Sequence, residues 1–490
     1  MISDAASIAQ DQRARERRNL LLAVLLLTLL AAGLRFLHLG AWSMWADEVA
    51  TLRNSKDLAD VRGYPIGYIL IGIVTGWFGD SEFVARLVPA VVGVLSVPVI
   101  YWIGRSLFSH RAGVLAGILL SLSTFHIYYS QYARYYTLLM LFGLLAMWMA
   151  FEGIERNSRW RLALAVVLLA LAILTHWTAF LLLAALGCYA LWSLRRSPRS
   201  GKRGGRPSGL TWANVGILFG PFVIGALVAR NQLLDVAKQW VGVEGFSFYR
   251  SGLAALKIAD RLDVAVLICA GVGAWLLLRS RDHRTKWLLC YGVVPIILAV
   301  LFVGLAEGGS RFAFVALPPF IFLAAYLMDA LIAAVRPQVG KVAWLLPALV
   351  ALTMGAKAAQ YHTVEMGQRP RWKEAVGYVL SRHSPGKSFR IMTNAPEVVR
   401  YYLTRIECDA TPYSVDSMEE RMKEGLRPKQ SPVDFVMVEH VANVVPGPSE
   451  LEWLAEHRLL EKRFPLKVRF LDYSISVYGE WRPSAAEPLL

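Results

Sequence analysis

Asp47 and Glu48 are the residues of this chain best placed to do chemistry. They sit in Trp42-Ser43-Met44-Trp45-Ala46-Asp47-Glu48-Val49-Ala50-Thr51, just past the first long apolar segment. Indoles prefer the boundary between membrane and water, so Trp42 and Trp45 mark that depth. A carboxylate held there loses part of its hydration, which makes it a better general base. A structural reading competes. Asp47 would cap a helix running from about Glu48 to Leu58, with Glu48 favourable near its N-terminus.

The elements that must position this pair follow from the composition. Of 490 residues, 56% are hydrophobic and 18% charged, and the mean hydropathy is +0.44. Such a balance excludes a disordered chain, a collagen-like chain and a disulfide scaffold. Eleven segments have the ~20-residue scale of membrane-spanning helices: about 19–37, 83–103, 112–128, 136–151, 161–175, 178–194, 210–229, 262–279, 286–304, 312–335 and 342–360. The stretch Tyr64–Phe78 is short and contains Gly67, Gly72 and Gly76, which fits a re-entrant or juxtamembrane segment. If it does not cross, six loops on the N-terminal side carry 21 Lys/Arg against 6 Asp/Glu. The positive-inside rule then puts the N-terminus in the cytoplasm and the last residues outside. Most of the net charge of +16 is therefore topological, and nucleic acid is not an expected partner.

The tail has 18 basic and 18 acidic residues and alternating local patterns. We read residues 1–361 as a transmembrane domain and 362–490 as a small extracytosolic α/β domain. In the tail, helices are expected over 371–382, from a cap at Asn394, over 416–423 and over about 449–463. Strands are expected at 389–392, 433–438 and within 468–478. Cys188, Cys269 and Cys290 lie in apolar segments and only Cys408 in the tail, so no outer pair is available to bridge. There is no Walker A loop, dinucleotide fingerprint or zinc-spaced set.

Several motifs share the outer side in this topology. They are Asp47-Glu48, Tyr64-Pro65-Ile66-Gly67-Tyr68, Gly79-Asp80-Ser81-Glu82-Phe83-Val84-Ala85-Arg86-Leu87, Tyr129-Ser130-Gln131-Tyr132-Ala133-Arg134-Tyr135-Tyr136, and Ser310-Arg311-Phe312 with Pro318-Pro319. In order and spacing the chain resembles the membrane-embedded GT-C glycosyltransferases of the protein O-mannosyltransferase and aminoarabinose transferase (ArnT) superfamily. The likeness covers roughly residues 20–180, with an echo at 305–325. It implies a polytopic helical bundle and a sugar donor linked to polyprenyl phosphate. The acceptor would be a glycan, lipid or protein hydroxyl at the extracytosolic face of the cytoplasmic (inner) membrane.

The resemblance also assigns roles. Asp47, with Glu48, would be catalytic, and the displacement would invert the anomeric carbon. Arg134 and Arg311, with Tyr135 and His126, would serve the donor phosphate, which needs positive charge as its bond breaks. Arginines at this depth also snorkel, and His126 and His176 read more readily as packed polar residues. Tyr64 and His176 would line the acceptor site. Arg86 reads as structural. Tyr64 stands where the superfamily has His, and one Pro of its His-Pro-Pro element is missing. The acidic metal ligand of the ArnT branch has no match, although Glu244 is an outer-loop carboxylate. No cofactor is required by this reading, and a divalent metal stays open. Three other readings compete: a flippase or transporter of lipid-linked sugar, a lipid-linked glycan polymerase or ligase, and a scaffold without chemistry. Against a transporter, the sequence shows no internal repeat and no broken helix.

Overall fold

Long apolar runs bounded by single capping residues fold into helices through most of the chain. A computed structural model describes residues 2–57, 65–194, 211–228, 230, 247–305, 309–382, 388–405, 413–418, 434–440, 451, 454, 458–468 and 471–481. The first helices are α1 (Ile2–Phe36), α2 (Ala46–Lys56), α3 (Pro65–Phe78), α4 (Glu82–Leu107), α5 (His110–Leu122), α6 (Thr124–Ser130), α7 (Tyr136–Glu155), α8 (Arg159–Thr175) and α9 (Phe180–Leu194). They are followed by α10 (Trp212–Val228), α11 (Phe248–Leu262), α12 (Val264–Arg279), α13 (Arg284–Leu305), α14 (Leu317–Val339) and α15 (Leu345–Thr363). Each expected apolar segment coincides with one of these helices or, at 112–128, with the α5–α6 pair. Among the described residues, six helical stretches are long and apolar enough to cross a membrane, or up to eight if each bent pair is one span. The helix α3 has 14 residues, shorter than a span.

Two helix pairs are sharply bent, where the sequence reading expected no broken helix. The pair α5–α6 bends by 60° and α11–α12 by 89°. The cause is one polar residue at each break. Ser123 accepts a hydrogen bond from the His126 N–H at 3.4 Å, and Asp263, at φ 71°, accepts from Ala265 N–H at 3.0 Å. Each side chain starts a new helix without the Gly or Pro that would mark a break in sequence. Elsewhere the bundle packs tightly. A Cβ on Gly273 of α12 would lie 2.3 Å from the Leu323 carbonyl of α14, so only glycine permits that approach.

The chain divides into two compact units. One is Met1–Leu37, Leu58–Leu70 and Leu87–Ala358; the other is His38–Asp57, Ile71–Arg86 and Ala359–Leu490. The second unit contains α16 (Trp372–Arg382), β1 (Phe389–Thr393), α17 (Pro396–Leu403), β2 (Tyr413–Ser417), β3 (Phe435–Glu439), β4 (Arg458–Phe464), β5 (Lys467–Val468), β6 (Leu471–Asp472) and β7 (Ile475–Trp481). Its main sheet has the order β2-β1-β3-β7-β4. Strands β2, β1 and β3 run parallel, with Ile391 opposite both Val415 and Phe435, while β7 is antiparallel to β3 and β4. Met392, Met418, Val436, Val438, Leu454 and Tyr478 form a buried core there.

Three local expectations in the tail change. Asp416 lies in strand β2, not in a helix; residues 419–423 are outside the described residues. Residues 458–463 belong to β4, because pairing with β7 outweighs the helix start suggested by Ser449 and Glu452. Asn394 does not cap α17. Its side chain instead donates to the Glu439 carbonyl at 2.8 Å and accepts from the Glu439 N–H at 3.0 Å, joining the ends of β1 and β3.

Candidate functional site

The Asp47-Glu48 pair opens α2 inside the second unit. Trp45 is the N-cap residue, and its N–H donates to Glu48 Oε2 at 3.0 Å. The residue that reaches back to the helix start is therefore Glu48, and Asp47 does not take the capping role. Successive helical residues point about 100° apart, so the two carboxylates face different surroundings. Glu48 has no exposed surface. Arg86 grips it twice, with Nε to Oε1 at 2.8 Å and Nη2 to Oε2 at 2.9 Å. Arg369 adds a second cation, 3.3 Å from Oε2. The same Arg86 guanidinium donates to the carbonyls of Leu39, Trp42 and Ser43 at 2.9–3.0 Å. Arg86 is thus structural, as read from the sequence. Asp47 is partly exposed, and its backbone carbonyl accepts from Thr51 Oγ1 at 2.8 Å.

The first unit gathers the other polar groups around an aromatic cluster. Arg134 lies in the turn between α6 and α7, with its guanidinium 5.2 Å from the Tyr135 ring centre. Tyr135 meets Tyr68 edge-on at 5.5 Å and His176 at 5.3 Å. His176 accepts or donates to Thr178 Oγ1 at 2.8 Å and sits 5.7 Å from the Trp177 ring. Trp177 meets Phe312 at 5.0 Å, and Arg311 lies 5.6 Å from that same Phe312 ring. The charges of Arg134 and Arg311 both bear on His176. The structure therefore brings Arg134, Arg311, Tyr135 and His176 into one neighbourhood.

Sequence reasoning missed a third cation there. Arg261 lies 5.3 Å from the Tyr128 ring, and both Arg261 and Arg311 bear electrostatically on Tyr129. It ends α11, an amphipathic helix whose polar face hid it among loop residues in the sequence. The helical period of Phe248–Leu262 is the signal that could have found it. His126 is placed differently. Its ring is fully buried, and Nδ1 lies 2.9 Å from Arg35 Nη2. Arg35 also donates to the carbonyls of Leu120 and Ser121, at 3.0 and 3.2 Å, in the last turn of α5 at the break. A buried arginine in an apolar helix is costly unless bonded this way. His126 is thereby part of the device that holds the α5–α6 bend. Tyr64 and Glu244 lie outside the described residues. Among the described residues, no group of three or more His, Cys, Asp and Glu is arranged to hold a metal ion.

The fold, mostly helical with a small sheet, is similar to that of solved GT-C glycosyltransferases. Residues 63–204 match the family described as dolichyl-phosphate-mannose-protein mannosyltransferase. Solved structures of similar fold include ArnT from Cupriavidus metallidurans bound to undecaprenyl phosphate, at TM-score 0.54 and 15% identity, covering 95% of this chain and 99% of that one. The same enzyme in the apo state gives TM-score 0.55 and 13% identity over 93% and 97% of the two chains. The Archaeoglobus fulgidus oligosaccharyltransferase in complex with Zn and sulfate gives 0.52 and 14%, covering 85% and 68%. Among curated proteins no sequence matches. The family match covers residues 63–204, and the fold of the chain is similar to that of these GT-C enzymes.

Proposed function

We propose that this protein is an inverting glycosyltransferase that moves a sugar from a polyprenyl-phosphate donor to an acceptor hydroxyl at the extracytosolic face of the cytoplasmic membrane. Asp47 takes the proton from the acceptor hydroxyl. The acceptor oxygen bonds to the anomeric carbon from the side opposite the leaving group, and the carbon–oxygen bond to phosphate breaks with its electron pair left on phosphate. Glu48 takes no part in proton transfer, because Arg86, Arg369 and the Trp45 N–H hold its carboxylate. Arg134, Arg311 and Arg261 stabilise the charge that builds on phosphate. Tyr135 and His176 lie beside these cations.

The observation that carries the reading is the group of three arginines set against tyrosine and phenylalanine rings in the unit that includes most of the family match. Such a surface suits a phosphate carried on an apolar chain. That Asp47 and these arginines serve one reaction rests on their common side in the topology read from charge. Undecaprenyl phosphate in the ArnT structure supports the donor class.

The test is transfer from radiolabelled polyprenyl-phosphate sugar by the purified full chain. Asp47→Asn should lower the rate by about 10²–10⁴-fold, the scale of a lost general base. Transfer at the wild-type rate would remove Asp47 from the mechanism. The two bent pairs also occur in the repertoire of transporters. A flippase would move lipid-linked sugar across vesicles without acceptor and would be indifferent to the Asp47 change.

A further inference from the structure

The segment that carries Asp47 has no regular structure of its own before α2. Its backbone groups need partners, and a buried N–H left without one costs free energy. Those partners come from the tail. Met44 N–H donates to the Tyr402 hydroxyl at 2.8 Å, across 358 positions of sequence. The hydroxyl in turn donates to Glu82 Oε1 at 3.3 Å. Ser43 Oγ accepts from the Lys373 N–H at 3.0 Å, and the Trp45 indole donates to the Gln368 carbonyl at 3.3 Å. Trp45 also meets Tyr473 edge-on at 5.6 Å. The turn at Gly367 has φ 63°, and a Cβ there would lie 2.2 Å from the Trp42 ring. Every residue from Ser43 to Trp45 is thus held by the tail, immediately before Asp47.

We propose that the α/β tail is a clamp that fixes the position of the Asp47 segment, and that Tyr402 is its main positioning residue. This rests on the reading of Asp47 as the base. Tyr402 acts through the Met44 N–H and touches neither donor nor acceptor. Its phenol is suited to the task because one oxygen accepts from the backbone and donates to a carboxylate at once. It is 2% exposed, so water does not replace either bond when the hydroxyl is removed. A base displaced by about 1 Å loses on the order of 100-fold in rate. A clamp therefore appears in kcat, while donor binding depends on groups elsewhere.

The experiment uses the full chain with Tyr402→Phe, which keeps the buried ring and deletes both hydrogen bonds. Expected are a fall in kcat of about 10- to 100-fold, an almost unchanged donor KM, and faster amide hydrogen exchange at residues 43–47. Ser43→Ala is the milder companion, useful should the phenylalanine variant fold poorly, and should shift the same readouts less. Wild-type kcat together with wild-type exchange in both variants overturns the clamp. A lower melting temperature with unchanged kcat in the folded fraction overturns it too, since that is a purely structural role. Failure of the base reading looks different. Asp47→Asn would then retain transfer while Tyr402→Phe still accelerated exchange at 43–47.

Discussion

Two charged regions of the molecule hold their charges in opposite ways. Around Glu48 every charge is buried and multiply bonded: Arg86 reaches the carboxylate and three backbone carbonyls, and Arg369 closes the other side. Around Tyr135 and Tyr129, Arg134, Arg261 and Arg311 are only partly buried and lie against aromatic rings. The contrast teaches how to separate charges that hold a structure from charges that meet a substrate. Desolvating an ion costs several kcal/mol and is repaid only by close partners, so a fully buried pair is a fixed part of the fold. A guanidinium over an aromatic ring gains from the ring's quadrupole, and these three keep part of their surface exposed.

The largest effect should come from breaking the holding region. Glu48→Gln leaves two buried guanidinium groups facing a neutral amide, and should cost about 3–5 kcal/mol, read as a lower melting temperature of the full chain. Arg134→Gln probes the other region. It should leave the melting temperature nearly unchanged and lower transfer by about 10²–10³-fold, the scale of a lost transition-state donor. If instead Arg134→Gln unfolds the protein and Glu48→Gln does not, the contrast is inverted.

A further buried carboxyl sharpens the comparison, because no cation is paired with it among the described residues. Glu439, at the end of β3, accepts a hydrogen bond from the Trp372 indole at 3.0 Å. Burial pushes its carboxyl up to about 7, with the Trp372 bond pulling the other way. The folded state binds this proton more tightly than the unfolded chain does. The stabilisation is therefore complete below the unfolded value of 4.5 and is lost as pH rises through about 7. Glu439→Gln should flatten stability across this window and exceed the wild type above about pH 8 by about 2–3 kcal/mol. Denaturation at several pH values checks this; parallel curves for both proteins would contradict it. The smallest effect is expected from Arg261→Gln, about ten-fold in transfer, roughly 1.4 kcal/mol, because two other arginines share the load.

Much of the fold was legible because its signals are local. Apolar runs longer than a helix turn gave the helices, and β-branched stretches such as Val433–Val438 gave the strand at Phe435–Glu439. The misreadings share one cause. Ser449 with Glu452 is a good local helix start, yet Arg458–Phe464 pairs with a strand that follows it in sequence. The breaks at Ser123 and Asp263 depend on a single side chain each, and Arg35 stabilises one of them through carbonyls 85 and 86 positions away. At the candidate site, the Asp-Glu dipeptide was visible as a pair, but its division was not. Only the long-range approach of Arg86 and Arg369 distinguishes Glu48 from Asp47. Arg261 escaped because an amphipathic helix of Tyr, Arg, Lys and Asp reads as a loop beside so many apolar runs.

The central claim is that adjacent carboxylates have separate tasks, Asp47 in proton transfer and Glu48 in holding the segment. Its most direct test is single-turnover transfer and thermal unfolding measured side by side on Asp47→Asn and Glu48→Gln in the full chain. The expected result is a wild-type melting temperature with transfer reduced by about 10²–10⁴-fold for Asp47→Asn, and a large loss of stability for Glu48→Gln. Wild-type transfer by Asp47→Asn, or an equal loss of stability in both variants, would contradict the account.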